Sequence, residues 1–367
     1  MVPNTICYLL MEVDMAKIRM AIVGCGSISR LNVPGYIEHS DCEIVALCDP
    51  IRERAEEKSK EWNITPNIYT DYQELLLDSS VDAVELLTPT YMHADQIILA
   101  LNKGKHVSCQ KPLAVTMDEA YRIRKAVRLS DKTFRITENF LYYPPILKAT
   151  ELLKNGEIGD PSLVRIRTIR GSWDSAQIKI EEGALEWRTN HPGGILYDDG
   201  WHKYATAISW VGFVEKVTSI VTVKKTLKDG LIEETPSAAI MKVKDKDRLI
   251  TIDYSSAPEM PFRTKYYPAD EFFEIIGEKG TIWVTRCTGE LLDMPPVILL
   301  KGDEITSFSM PTDWIEGFKG AAKSFIDHLI NETQPDMDID FSIQVLDAAL
   351  AVYKSSELES TVYLNTD

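Results

Sequence analysis

Ile18-Arg19-Met20-Ala21-Ile22-Val23-Gly24-Cys25-Gly26-Ser27-Ile28-Ser29 is the stretch that decides the fold. Its first six residues read as a short buried strand, and the glycine-spaced turn after them opens a helix read over Ser27–Glu38. Gly24 permits a tight turn, and Gly26 lets the backbone approach a pyrophosphate. The helix N-terminus, with Ser27 and Ile28, offers free N–H groups and a partial positive charge. Ser29 stands where glycine or alanine is usual, and it is small enough for close helix–strand packing. An ordinary tight turn could carry the same string. The context points further: a strand before, a helix after, and Asp49 at the end of a second strand, Ile44–Cys48. A carboxylate there accepts hydrogen bonds from the ribose hydroxyls of an adenosine and repels a 2′-phosphate. That favours NAD, while Arg52 nearby leaves NADP open.

Outward from this turn, strand and helix signals alternate. Strands are read at Asn67–Thr70, Ala83–Leu87, His106–Cys109 and Thr133–Thr137. Helices are read at Arg52–Trp62, from an Asp71 cap to Leu77, at Ala94–Asn102, and from Thr116 to Leu129 with a Thr116/Glu119 capping box. Near-continuously apolar strands in such alternation predict a doubly wound parallel sheet, an α/β Rossmann domain. Beyond residue 138 strands follow strands: Leu163–Trp173, Val217–Thr226, Ser237–Val243, Arg248–Tyr254, Phe272–Gly277 and Thr281–Thr285. Two helices, Trp314–Asn331 and Ser342–Glu357, close the chain. The expectation is an α+β second domain with a large, mostly antiparallel open sheet. Domains are placed at 15–138 and 139–367, with the last helix packing back on the first. Residues 1–14 are read as a disordered or non-native start before Met15.

At 367 residues two domains are the natural expectation. A net charge of −16 without a basic cluster argues against nucleic acid and anionic membranes as partners. Six cysteines without a C-x-x-C pair read as reduced core thiols of a cytoplasmic protein, and no metal site is assigned. Ile220, Thr222 and Val223 suggest that the open sheet face is a subunit interface, hence a homodimer or homotetramer.

Further motifs carry a family resemblance. They are the glycine turn; Thr88-Pro89-Thr90-Tyr91-Met92-His93; Gly104-Lys105-His106-Val107 leading to Gln110-Lys111-Pro112; and Gly193-Gly194-Ile195-Leu196-Tyr197-Asp198-Asp199-Gly200-Trp201-His202. From Lys17 to about Leu364 the chain resembles the glucose–fructose oxidoreductase/inositol dehydrogenase (Gfo/Idh/MocA) family. The resemblance implies hydride transfer between a nicotinamide and a secondary hydroxyl or keto carbon of a sugar, inositol or sugar derivative. It implies that Thr88, Pro89, His93, Gln110 and Lys111 lie at the cofactor and that Lys111 steadies the substrate oxygen. Gln110 replaces a family glutamate, Thr90 an asparagine, and Ala205 an aspartate found in many members.

Asp198 and His202 are four apart and share one face if helical. An imidazole suits reversible proton exchange with a hydroxyl, and Asp198 would hold that ring or a sugar hydroxyl. Asp199 is the alternative carboxylate. Asn139 and Tyr142, after the sixth strand, and Trp187 and Arg188, before the Gly-Gly turn, are expected to line the substrate pocket; Trp173 is a further aromatic there. Two other functions share these motifs: an NAD-dependent glycosidase working by oxidation, elimination and reduction, and a non-enzymatic NAD or metabolite sensor.

Overall fold

Six apolar segments pair in parallel in the order β3-β2-β1-β4-β5-β6. They are β1 (Ile18–Val23), β2 (Cys42–Cys48), β3 (Asn67–Tyr69), β4 (Ala83–Leu86), β5 (His106–Gln110) and β6 (Phe134–Thr137). The helices between them are α1 (Ser29–Ile37), α2 (Arg52–Glu61), α3 (Tyr72–Leu77), α4 (Thr90–Asn102) and α5 (Met117–Leu129). The structure, a computed structural model, describes residues 17–172, 191–222, 225–226 and 232–364. The expected pocket residues Trp173, Trp187 and Arg188, the interface residue Val223 and the segment 1–14 lie outside those.

Two helix starts differ from the sequence reading. α1 begins at Ser29 rather than Ser27, because Gly26, Ser27 and Ile28 stay in the open turn. α4 begins at Thr90 rather than Ala94, directly after Pro89, whose fixed φ suits a helix entry. The Thr116/Glu119 capping box of α5 is formed in both directions.

A 3₁₀ turn, Asn139–Tyr142, and α6 (Pro144–Lys154) lead into the second half. Its elements are β7 (Pro161–Arg170), α7 (Ile195–Asp198), α8 (Gly200–Val211), β8 (Val214–Val221), β9 (Lys225–Thr226), β10 (Ile232–Glu233), β11 (Ser237–Val243), β12 (Leu249–Ser256), β13 (Arg263–Thr264), β14 (Ala269–Gly277), β15 (Thr281–Val284), β16 (Gly289–Glu290), β17 (Val297–Lys301), β18 (Glu304–Phe308), α9 (Ile315–Ile330), α10 (Ile339–Leu358) and β19 (Val362–Tyr363). Nine strands form one sheet in the order β18-β17-β15-β14-β7-β12-β11-β8-β19. It is mostly antiparallel, as expected, but β7 and β12 pair in parallel at its centre.

The sequence border between domains is not a packing border. α9 lies on α1, so close that a Cβ on Gly35 would sit 2.6 Å from the Lys319 carbonyl oxygen. Ala322, Phe325 and Ile326 of α9 complete the core formed by Met20, Ile22 and Tyr36 of the first half. Glu38 pairs with Lys319 and Lys323 at 2.7 and 2.8 Å. The expected return of the last helix is therefore shared: α10 also reaches α5, where Asp340 pairs with Arg128, but α9 covers the Rossmann face.

Candidate active site

The glycine turn has the form of a phosphate cradle. Gly24 has φ +96°, and a Cβ there would lie 2.6 Å from the Leu87 carbonyl oxygen. A Cβ on Gly26 would meet nothing within 4 Å, so its backbone faces open space. Among the described residues, no acceptor takes the N–H groups of Gly26, Ser27 or Ile28. The Ser29 hydroxyl donates to the Gly26 carbonyl at 2.6 Å, so the unusual third residue braces the turn. Asp49 accepts from the Cys25 N–H with one oxygen and from the Ile51 N–H with the other, both at 2.9 Å. The carboxylate thus ties the turn to the end of β2, and each oxygen keeps a second lone pair for a ribose hydroxyl. Cys25 is no nucleophile, since burial pushes its thiol up to about 12. A dinucleotide pyrophosphate fits this arrangement. Gly24→Ala combines a positive φ with a backbone clash, so NAD affinity is expected to fall by at least about tenfold. Calorimetric titration checks this, and an unchanged Kd would show that the turn does not carry the phosphates.

Lys111 follows β5 at the carboxyl edge of the parallel sheet, where ligands bind in such folds. Its Nζ donates to the Asp198 carbonyl oxygen at 2.9 Å and to Asp198 Oδ1 at 3.0 Å, which joins the two halves of the chain. Gln110 does not take the family glutamate's place beside the ammonium. Its Oε1 accepts from the Lys111 N–H at 2.9 Å and its Nε2 donates to Asn32 at 3.2 Å. The negative partner of Lys111 is Asp198 instead.

His93 packs between the Thr88-Pro89 and Lys111-Pro112 segments. It is fully buried, with Nδ1 2.8 Å from the Pro112 carbonyl oxygen and Nε2 2.9 Å from that of Thr88. Burial lowers its pKa. Both nitrogens face backbone carbonyls, and the neutral ring donates to one of them, bracing either the Thr88-Pro89 or the Lys111-Pro112 segment. The Thr88 hydroxyl donates to Gln96 Oε1.

The Gly-Gly turn carries the other half of the site. A Cβ on Gly194 would lie 2.2 Å from the Ile232 carbonyl oxygen. Buried Glu234 accepts from the N–H groups of Gly194 and Leu196 at 2.8 and 2.9 Å and from the Tyr353 hydroxyl at 2.8 Å. This anchors α7, and with it Asp198. Between α7 and α8 only Asp199 intervenes, its backbone right-handed helical at φ −81° and ψ −34°, and the His202 N–H donates to the Asp199 carbonyl at 3.2 Å. The His202 Nδ1 lies 2.6 Å from Oε1 of Glu138, and Phe140 stacks on the ring at 4.4 Å and 15°. Among the described residues, none takes His202 Nε2.

Asp199 is not the free carboxylate either. It accepts from Lys203 Nζ at 2.8 Å and from the Tyr254 hydroxyl at 2.9 Å. Burial pushes its pKa up, but the charges of Lys203 and His202 outweigh burial and hold it low. Fully buried Lys203 also pairs with Glu271 and lies 5.0 Å over the Phe140 ring.

Asn139 and Tyr142 both contact α9, and Asn139 Nδ2 is buried with no partner among the described residues. The Asn139 carbonyl packs where a Cβ on Gly317 would come within 2.4 Å, and Tyr142 accepts from Ser324 at 3.0 Å. Ala205 is fully buried and offers no substrate contact. Sequence reading missed Glu138, Phe140 and Lys203. The available signal for Glu138 was an acid immediately beyond a parallel strand's carboxyl end.

The arrangement thus sets a positive donor, Lys111, against a carboxylate, Asp198, and presents an imidazole with one nitrogen anchored and the other open. That set can steady an oxygen and exchange its proton. Comparison with known proteins points the same way. A model of the Gfo/Idh/MocA oxidoreductase family, described as an NAD-binding Rossmann fold, matches residues 18–138, and the model of that family's C-terminal alpha/beta domain matches 150–364. The chain is 28% identical over 268 residues to the uncharacterized oxidoreductase YrbE of Bacillus subtilis, spanning 72% of this chain and 73% of that protein. It is 26% identical over 274 residues to scyllo-inositol 2-dehydrogenase (NAD(+)) of the same species, covering 73% and 74%. The solved structure of scyllo-inositol dehydrogenase from Lactobacillus casei, with bound cofactor NAD(H) and scyllo-inositol, superposes with a TM-score of 0.74 at 20% identity. The match covers 95% of this chain and 99% of that one, a likeness of fold.

Proposed function

Because the chain belongs to the Gfo/Idh/MocA family of NAD-binding oxidoreductases, we propose that it is a dehydrogenase that moves a hydride between NAD and a secondary hydroxyl or keto carbon of a sugar, inositol or sugar derivative. The observation that carries this is the meeting of Lys111 and Asp198 across the two halves of the chain, with His202 four residues on. Polyol relatives such as scyllo-inositol 2-dehydrogenase support the substrate class.

An ammonium has three donors. Asp198 takes two of those of Lys111, through its carbonyl and its carboxylate. The third is available to a substrate oxygen, where it opposes the negative charge that develops as the hydroxyl proton leaves. His202, anchored through Nδ1, has Nε2 open to receive that proton in oxidation and to return it in reduction. Bound NAD supplies the hydride acceptor. Gly24, Gly26 and Asp49 would hold its phosphates and adenosine ribose.

A panel of polyols with NAD tests the reading. NADH accumulating with a free polyol supports it. Release of an aglycone without net NADH would instead identify the oxidation–elimination–reduction glycosidase. Turnover that survives a Lys111→Ala/His202→Ala double replacement would overturn the site.

The open sheet face supports self-association. Ile220, Ile240 and Leu249 on β8, β11 and β12 are 74%, 53% and 40% exposed, on the side opposite buried Ser219, Ala239 and Ile250. A homodimer or homotetramer formed through this face covers them. Ile220→Asp/Ile240→Asp is expected to give monomers by light scattering, and an unchanged mass would place the interface elsewhere. No described helix is long and apolar enough to cross a membrane. The five described cysteines are free and buried, which supports a cytoplasmic location.

A further inference from the structure

The turn after β6 gives the imidazole a partner that no motif of the chain announces. We infer that Glu138 is the positioning residue of His202: its carboxylate fixes the proton of the neutral ring on Nδ1 and leaves Nε2 as the bare nitrogen that meets the substrate hydroxyl. This rests on the reading of His202 as the proton acceptor.

The geometry carries the assignment. Glu138 is fully buried, and its Oε1 lies 2.6 Å from His202 Nδ1. The same oxygen accepts from the Phe140 N–H at 2.9 Å. An oxygen that already accepts one N–H is poorly suited to carry a proton itself, so the proton between the two groups resides on the ring. Glu138 Oε2 is buried with no partner among the described residues. A carboxylate so sparsely satisfied depends on the Nδ1–H donor, and its charge is best compensated when the ring also gains a proton on Nε2. The Phe140 stack at 4.4 Å holds the ring plane, so the open nitrogen keeps its direction.

The other charges near the ring are already matched. Asp199 is held by Lys203 and Tyr254, Lys203 is shared with Glu271, and Asp198 is held by Lys111. Among the described residues, Glu138 is the carboxylate hydrogen-bonded to the imidazole. In oxidation the O–H bond of the substrate breaks, its proton forms a bond to Nε2, the C–H hydride passes to NAD, and the resulting imidazolium faces Glu138. Reduction runs these transfers backwards.

The test reads the ring directly. Histidine ring ¹⁵N shifts are recorded in the NAD-bound protein, at a pH where the ring is neutral, with the His202 signal assigned by its loss in His202→Asn. The wild type is expected to carry its proton on Nδ1. Glu138→Ala is expected to move the ring to the Nε2–H form that histidine prefers in water. It is also expected to lower kcat by about 10²-fold with little change in KM. Glu138→Gln, whose amide oxygen still accepts from Nδ1–H and from Phe140, is expected to retain the Nδ1–H form and to recover part of kcat. It also serves as the folded control should Glu138→Ala lose NAD binding. A wild-type ring carrying its proton on Nε2, or a tautomer in Glu138→Ala or Glu138→Gln matching neither expectation, overturns the inference. His202→Asn retaining full turnover would overturn the underlying reading of His202 instead, and the ring measurement separates the two.

Discussion

Lys111→Met is expected to lower kcat by about 10³-fold while leaving NAD affinity within about threefold of the wild type. Methionine keeps the length and much of the packing of lysine but has no donor and no charge. Two consequences follow from the observed contacts. The developing alkoxide loses the Lys111 ammonium. The Asp198 carboxylate, whose side chain is only 8% exposed, loses its ion-pair partner at 3.0 Å. The first effect acts on the transition state, and the second on the ground state. Asp198→Asn in the same chain removes the carboxylate charge without restoring the donor. If the loss came only from the Asp198 carboxylate left without Lys111, the double variant would recover turnover. If it is the oxygen's donor, the double variant stays as slow as Lys111→Met. Single-turnover NADH formation separates hydride transfer from release, and NAD binding measured alongside shows that the cradle at Gly24 and Gly26 is intact. A kcat within tenfold of the wild type would remove Lys111 from the chemistry.

The Rossmann half was legible because its central strands are buried and read as apolar runs alternating with helices, of which α3 and α5 carry side-chain caps. Lys111 and His202 were legible as residue types at the right places, but their partners were not. Asp198 was paired with His202 from their spacing, whereas the hydrogen bonds formed join Asp198 to Lys111 and His202 to Glu138. The true partner, Glu138, is 64 residues away in sequence and reaches the ring only through the docking of the 3₁₀ turn on α8. Helix α8 itself escaped reading as an element. All of its residues except Ser209 are buried, so it shows no amphipathic period. Strand β18 fails for the opposite reason: Glu304–Ser307 are all exposed and no apolar alternation marks them. A helix surrounded by protein and a sheet edge in solvent are both defined by what packs around them, which local pattern does not record.

Lys203→Met is expected to cost about 3–5 kcal/mol of unfolding free energy, the usual consequence of removing one member of a buried ion cluster. Lys203 is fully buried and serves two carboxylates, Asp199 at 2.8 Å and Glu271, while lying over Phe140. Burial alone would lower the proton affinity of this ammonium, but the two carboxylates outweigh it and its pKa stands above the ordinary value. Methionine fills the volume and leaves both acids without a cation. Some donors remain: Thr288 gives Glu271 its N–H at 2.9 Å and its hydroxyl at 2.8 Å, and Tyr254 still donates to Asp199. These set the loss below the cost of two bare charges. The pH dependence has a definite sign. In the wild type the folded pKa of Asp199 is depressed, so its contribution is present above the unfolded value and is lost as pH falls through the folded one. In the variant the stranded acids have raised folded pKa values, the folded state binds more protons than the unfolded, and stability falls as pH rises. Urea unfolding should therefore show a larger deficit at pH 8 than at pH 5. Asp199→Asn/Lys203→Met/Glu271→Gln, which removes all three charges, should recover much of it. A deficit under about 1 kcal/mol at both pH values would mean that the cluster is solvated in solution. A deficit of the expected size with the expected pH trend would tie the stability of α8, and with it the placing of His202 one residue before Lys203, to the Asp199–Lys203–Glu271 charge cluster.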